Sequence, residues 1–348
     1  MQSEVRYTTT EDGVRIAYCV EGEGPPLFFC HYVYSFSLSH LVPTYDKAVR
    51  EIGRGRLLIR YDMRGSGLSQ RDVDDLSPAA AIRDIEAVVR ALQLKRFTML
   101  GAASGGGRAI EYAARHPDQV AGLILYEAYA RLLDAFPLEL IQSFPLLARA
   151  SWASATRTFT DIATRTRDQE EQARWTELVF RSTTGETMAR LLETHAELDV
   201  SDLLSRVACP TLVCHSRNDL QWPFALGQRL AEGIPNARLV PLEGDSGGAF
   251  TDPQSAVKAI DAFLREQQPA VAPAITEAGG MPGKPLTPRE TEVLRLIAAG
   301  MTSKEISQQL SLSVRTVGRH ITNIYDKIGA SSRADATAYA LRHGLTAK

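Results

Sequence analysis

Residues 96–120 read RFTMLGAASGGGRAIEYAARHPDQV. An apolar run at 97–101 leads into small residues and then into a stretch, 104–115, with helical spacing. That is a strand, a tight turn and a helix in immediate succession. The alternation continues on both sides. Further strands are predicted at 14–20, 26–31, 57–61, 122–126, 211–215 and 238–242, and helices near 77–93, 224–233 and 254–266. Runs such as LLIRY, GLILY and TLVCH are apolar almost throughout, as strands covered by helices on both faces must be. The pattern predicts an α/β fold built on a doubly wound, mostly parallel sheet. One stretch, about 131–206, breaks the rhythm with helical patterns alone, such as ETMARLLETHAEL. It reads as a helical insertion over the end of the sheet where such folds take ligands.

With PPLFFCH (25–31), YDMRGSGLS (61–69) and the turn above, residues from about 5 to 266 resemble the α/β-hydrolase fold, and the insertion matches that family's cap. The resemblance places the family's nucleophile elbow, G-x-S-x-G, on 101–105. Gly101 and Gly105 then put Ala103 at the nucleophile position, and a methyl group cannot attack a carbonyl. A register shifted by one, ending on Gly106, puts Ser104 there instead. Ser104 also reads as a small polar residue at a helix start, able to cap backbone donors.

Asp219, in TLVCHSRNDLQWP, matches the family's acid, although an Asp after a strand is also a common loop residue. The histidine expected after the strand at 238–242 is missing: the text is LEGDSGGAF, with Gly247 in its place. The family's His-Gly reads His31-Tyr32 here. Tyr32 narrows the oxyanion space, hydrogen-bonds a ligand, or packs as an ordinary aromatic. A serine without an adjacent base is a poor nucleophile, so the two losses agree. The triad positions Ala103, Asp219 and Gly247 read as degenerate, and no catalytic residue is expected. The surviving frame implies a pocket for a small, largely apolar ligand near Tyr32, Val33, Ala103, Ser104, Asp219, Trp222 and Gly247. Trp152 and Trp175 are further candidate pocket aromatics. An active esterase using Ser104 is the competing reading.

Residues 267–285, QQPAVAPAITEAGGMPGKP, form a proline- and glycine-rich linker between domains at 1–266 and 286–348. The formal net charge of −2 hides an asymmetry across it. Residues 284–348 carry ten Lys/Arg and five Asp/Glu, and the rest carries 29 and 36. A basic block on an acidic body directs attention to nucleic acid.

The block has three helix-start patterns, at Thr287/Glu290, Thr302/Glu305 and Ser332/Asp335, with Ser313 a fourth candidate cap. Helices are predicted at about 288–299, 303–310, 314–328 and 333–343. Val293, Leu294, Ile297, Ile306, Leu310, Val317, Ile321, Ile324 and Ile328 recur at core spacing. Residues 303–322 have helix-turn-helix form. The markers LTPRE, EVLRLIAAG, SKEI, TVGRH and KIGASSRADA make the block similar to the LuxR-type DNA-binding domain. That resemblance implies that Arg319, Gly318 and Thr322 face base edges, that Lys304, Arg315, Thr316 and Arg333 hold phosphates, and that the last helix dimerises on a two-fold operator.

No window approaches a transmembrane run, and the first residues lack a signal peptide's apolar core, so a cytoplasmic chain without membrane partners is expected. Cys19, Cys30, Cys209 and Cys214 lack CxxC spacing and read as buried reduced thiols, with no metal or cofactor implied. Together these readings describe a one-component regulator in which a retired hydrolase domain senses a small molecule. A DNA-binding scaffold with an unused pocket is a third possibility.

Overall fold

The structure is a computed structural model. It describes residues 4–164, 168–196, 198–219, 222–243, 253–267, 286–298 and 301–328, with 336, 340 and 345. The chain divides into two compact units, Met1–Ile275 and Thr276–Lys348.

The first unit is an eight-stranded sheet: β1 (Val5–Thr9), β2 (Arg15–Glu21), β3 (Pro26–Cys30), β4 (Leu57–Tyr61), β5 (Phe97–Ala102), β6 (Val120–Tyr126), β7 (Thr211–Ser216) and β8 (Ala237–Leu242). Their spatial order is β1-β2-β4-β3-β5-β6-β7-β8. β1 and β2, and β2 and β4, pair antiparallel; every other pair is parallel. β5 therefore lies in the middle, with Gly101 opposite Cys30 and Ala102 opposite Tyr126.

Side chains alternate across the sheet and feed two cores. Phe28, Met99 and Leu125 pack on one face with Ile85, Val88 and Ile110. These come from α2 (Pro78–Ala91) and α3 (Gly105–Arg115). Phe29, Leu100 and Ile124 pack on the other face with Val49, Ile52, Ile260 and Phe263. Those helices are α1 (Pro43–Gly53) and α10 (Pro253–Gln267).

Two elements depart from the sequence expectations. β1 is a half-exposed edge strand, so burial leaves little periodic signature in VRYTT. α1 starts with Pro43, but Val42 before it makes no side-chain cap, so only half of a start signal is present.

The insertion is helical: α4 (Leu132–Ala135), α5 (Leu138–Ala150), α6 (Trp152–Thr164), α7 (Gln169–Ser182) and α8 (Gly185–His195). An antiparallel bridge between Arg131 and Asp199 ties its two ends together. α9 (Phe224–Gly233) follows β7. The four cysteines are free and buried.

The second unit holds α11 (Pro288–Ala298), α12 (Ser303–Gln309) and α13 (Val314–Ile328). Thr302 and Glu305 form a complete capping box on α12. Thr287 and Glu290 exchange the equivalent bonds on α11, at 2.7 and 3.3 Å. The Ser313 hydroxyl accepts from Thr316 N–H at 3.1 Å at the start of α13. Val293, Leu294, Ile297, Ile306, Val317 and Ile324 are buried together with Ala336 and Ala340, while Leu310 and Ile321 are partly buried against them. The Ile328 side chain and most of the helix expected at 333–343 lie outside the described residues.

Candidate functional site

β5 ends at Ala102 and α3 begins at Gly105, leaving two residues to reverse the chain. Ala103 takes φ +47°, a left-handed conformation that costs an L-residue about 1 kcal/mol or more. Its N–H donates to the Tyr126 carbonyl at 3.0 Å, and its own carbonyl accepts from Gly106 at 2.9 Å. Packing dictates the small neighbours. A Cβ on Gly105 would press into the Cys30 carbonyl, and one on Gly101 would lie 2.8 Å from the Ala109 methyl. The elbow is thus built in full around a methyl group.

Ser104 lies one residue past the apex, in right-handed backbone with φ −62° and ψ −16°. The register that would give it the strained position is not the one adopted. Nor does its hydroxyl cap α3, because an N-cap needs extended backbone to reach back to the helix donors. It hydrogen-bonds the Tyr129 hydroxyl instead.

Above the turn, cap residues Leu132, Phe136, Leu140, Ile141, Phe144, Phe159, Ile162 and Leu192 join Tyr32 and Ser104 around a pocket. The cavity it encloses is small, about 50 Å³, and opens toward solvent. Its wall is nearly all apolar, apart from the two hydroxyls. Tyr32 is both packed and pocket-lining: it is buried, and its hydroxyl reaches only the Met188 thioether, at 4.0 Å. Burial pushes that phenol up to about 12.

Other expected residues lie elsewhere. Val33 is wholly buried in the core beside the sheet and does not reach the pocket. Trp222 packs with Tyr129, Ile141 and Leu226 behind the pocket wall. Trp175 packs with tilted rings against Tyr34 and Tyr45, and Trp152 stacks on Phe180, so neither lines the pocket. Asp219 is buried and accepts the Trp222 backbone N–H at 2.9 Å, which shapes the loop after β7. Gly247 lies outside the described residues.

No described histidine hydrogen-bonds Ser104. His31 faces the Tyr32 carbonyl at 3.0 Å, His195 the Leu76 carbonyl at 3.1 Å, and His215 the Trp222 carbonyl at 2.7 Å. Burial pushes His31 down to about 3 and His195 to about 4, so both are neutral at pH 7.

Three features were not read from the sequence. Tyr129 anchors Ser104. Glu127, with φ +47° and no exposure, accepts from the Ser216 N–H and hydroxyl at 3.0 and 2.5 Å. Burial pushes its carboxyl up to about 8. Arg108 is buried on α3 with no ion-pair partner among the described residues, a placement that ordinarily costs several kcal/mol. Its place directly after the three glycines that open α3 was the available signal for it.

In the second unit, Gly318 and Arg319 are exposed on α13, and a Cβ on Gly318 would meet open space. The Thr316 hydroxyl is tied to Ser313 at 2.7 Å. Lys304, Arg315 and Thr322 lie on described helix backbone, but their side chains, like all of Arg333, lie outside the described residues. A helix N-terminus such as that of α13 suits phosphate, and its first turns suit a major groove.

Comparison with known proteins matches both units. Residues 44–241 fit the family described as "Serine aminopeptidase, S33", and residues 284–340 fit "Bacterial regulatory proteins, luxR family". The chain is 27% identical over 264 residues to the AB hydrolase superfamily protein YisY of Bacillus subtilis (strain 168), covering 73% of this chain and 96% of YisY. It is 48% identical over 65 residues to the transcriptional regulatory protein LiaR of the same organism, covering 19% of this chain and 31% of LiaR. A hydrolase structure from Pseudomonas aeruginosa PA01 shares the fold, with a TM-score of 0.66 at 22% identity over 75% of this chain and 98% of that one. Among the described residues, no helix is long and apolar enough to cross a membrane. The chain therefore belongs to the α/β-hydrolase family described as serine aminopeptidase, S33, and carries a LuxR-type helix-turn-helix domain of bacterial transcription regulators as its second unit.

Proposed function

We propose that the protein is a one-component transcriptional regulator whose hydrolase-fold unit binds a small, largely apolar molecule without turning it over. The observation that carries this is Ala103: the strained elbow is kept while its apex side chain is inert. The apolar pocket above it marks the ligand site. The LuxR-type domain supplies the output, as a homodimer on a two-fold operator. Arg319, Gly318 and Thr322 read base edges there, and Lys304, Arg315, Thr316 and Arg333 hold phosphates. Ligand acts by binding one DNA-pairing arrangement more tightly than another, since equal affinity would shift nothing.

A second reading has one observation in its favour. The Ser104 hydroxyl faces the pocket and is hydrogen-bonded to Tyr129, so a serine hydrolase using Ser104 is the competitor. Hydrolysis of activated esters by the full chain and by Ser104→Ala separates the two. The regulator reading expects no turnover above buffer in either. Turnover lost in the variant would establish the hydrolase.

A further inference from the structure

Four arginines are buried among the described residues: Arg56, Arg60, Arg64 and Arg108. Arg56 pairs with Asp261 at 2.6 Å, Arg60 with Glu21 at 2.7 Å, and Arg64 with Asp12 and Asp84 at 2.7 and 2.8 Å. Arg108 pairs with no carboxylate. One terminal nitrogen donates to the His31 carbonyl at 2.5 Å, the other reaches the Met63 sulfur at 3.9 Å, and Nε has no partner. Binding one carbonyl needs a donor, not a full buried charge, so the His31 contact does not account for an arginine here.

The guanidinium lies over the Tyr32 ring, 5.9 Å from its centre, and Tyr32 in turn lines the pocket. Its charge is felt by the groups at the pocket's polar end, Tyr32 and Tyr129, and by His195 on α8. The ring that separates cation from pocket is held at its tip only by the Met188 thioether. A carboxylate takes an arginine best through two parallel N–H bonds, and on this fork Nε is the donor left without a partner.

We infer that Arg108 is the anion-pairing group of the pocket, with Tyr32 as its movable cover, and that the ligand is an amphipathic carboxylate whose apolar body lies along the cap helices. The inference rests on the reading of this cavity as the ligand site and names the ligand's chemical class. Displacement of the Tyr32 ring from its Met188 contact opens the path from pocket to guanidinium. The carboxylate then supplies the counter-charge that the other three buried arginines already have.

The test is calorimetric titration of the full chain with octanoate, octanol and octylamine, which share a tail and differ in head group. Octanoate is expected to bind at least about tenfold tighter than octanol, and octylamine more weakly than either. Arg108→Met should bring octanoate down to the octanol level and leave octanol unchanged, while Arg108→Lys keeps a reduced preference. Tyr32→Ala should tighten octanoate several-fold relative to octanol, and it carries the test if Arg108→Met does not fold. Octanol binding as tightly as octanoate, or a preference that survives Arg108→Met, overturns the inference and leaves the apolar-ligand reading standing. No binding by any of the three overturns both.

Discussion

The Ala103 amide donates to the Tyr126 carbonyl at 3.0 Å, fixing the apex of the elbow to the neighbouring strand. The turn is therefore held by backbone bonds and glycine packing, independently of any nucleophile. Strain at an apex normally serves a reacting side chain; here it persists without one. Position 103 should respond to substitution according to backbone conformation alone. Ala103→Gly trades relief of left-handed strain against a looser unfolded chain and is expected to change stability by less than about 1 kcal/mol. Ala103→Val places a β-branched residue at φ +47° and should cost about 2 kcal/mol or more. Urea unfolding followed by tryptophan fluorescence reads both, since Trp152, Trp175 and Trp222 all lie in the first unit. Equal costs for the two variants would contradict the assigned backbone state.

Restoring the hydroxyl should not restore chemistry. Ala103→Ser is expected to leave ester hydrolysis at the level of the unmodified chain, because His31, His195 and His215 are engaged with backbone carbonyls and burial makes His31 and His195 weak proton acceptors. Steady turnover by Ala103→Ser in a stopped assay would reveal a general base that these contacts do not account for.

Two glycines should behave oppositely. Gly105→Ala pushes a methyl into the Cys30 carbonyl, a backbone atom that cannot step aside, so a loss of about 2 kcal/mol or more is expected. Gly318→Ala adds a methyl in open space within α13 and should stabilise the second unit by about 0.5–1 kcal/mol. Circular dichroism melts of the full chain, with fluorescence isolating the first unit, distinguish the two effects.

Glu127 should give the first unit a pH dependence opposite to that of a salt-bridged acid. Its carboxyl lies at about 8 when folded, against 4.5 for an ordinary glutamate. Between those values the folded state keeps a proton that the unfolded state has released, so stability falls as pH rises. The slope from this one group approaches about 1.4 kcal/mol per pH unit. Asp62 and Asp84 are raised only to about 6, while His31 and His195, lowered to about 3 and 4, take up protons on unfolding and act in the opposite sense up to about pH 7.5. The contribution of Glu127 is therefore read as the difference between the unmodified chain and Glu127→Gln from about pH 6.5 to 8: the variant's urea midpoint is expected to lose the falling component, and parallel pH profiles would assign it to another group.

On DNA, Arg319→Ala should cost about 1–3 kcal/mol at the specific site and relax base preference at one position. Lys304→Ala should weaken specific and non-specific binding alike and reduce the salt slope by about one. Binding titrations on the operator and on random duplex, at several salt concentrations, provide the comparison. A sequence-independent loss in both variants would reject the division of roles.

Periodicity and small-residue turns were enough to establish the doubly wound sheet, the helical insertion and the three described helices of the second unit, because burial stamps apolar spacing directly onto the chain. The α/β-hydrolase resemblance, not periodicity, pointed to Ala103 at the elbow and to Gly247 where that family carries a histidine, since those are matters of residue identity. Which of Ala103 and Ser104 occupies the apex was left open by GAASGGG, where either register keeps small residues around the turn; only the crowding against Cys30, Ala109 and Ala128 picks one. Val33 and Trp222 were misplaced at the pocket because nearness along the chain does not tell which way a side chain faces. Arg108, Tyr129 and Glu127 were missed for the same reason. Their roles come from what the fold packs around them — a buried cation without an acid, a phenol against a serine, a carboxyl kept from water — and these environments are assembled from residues far apart in the chain.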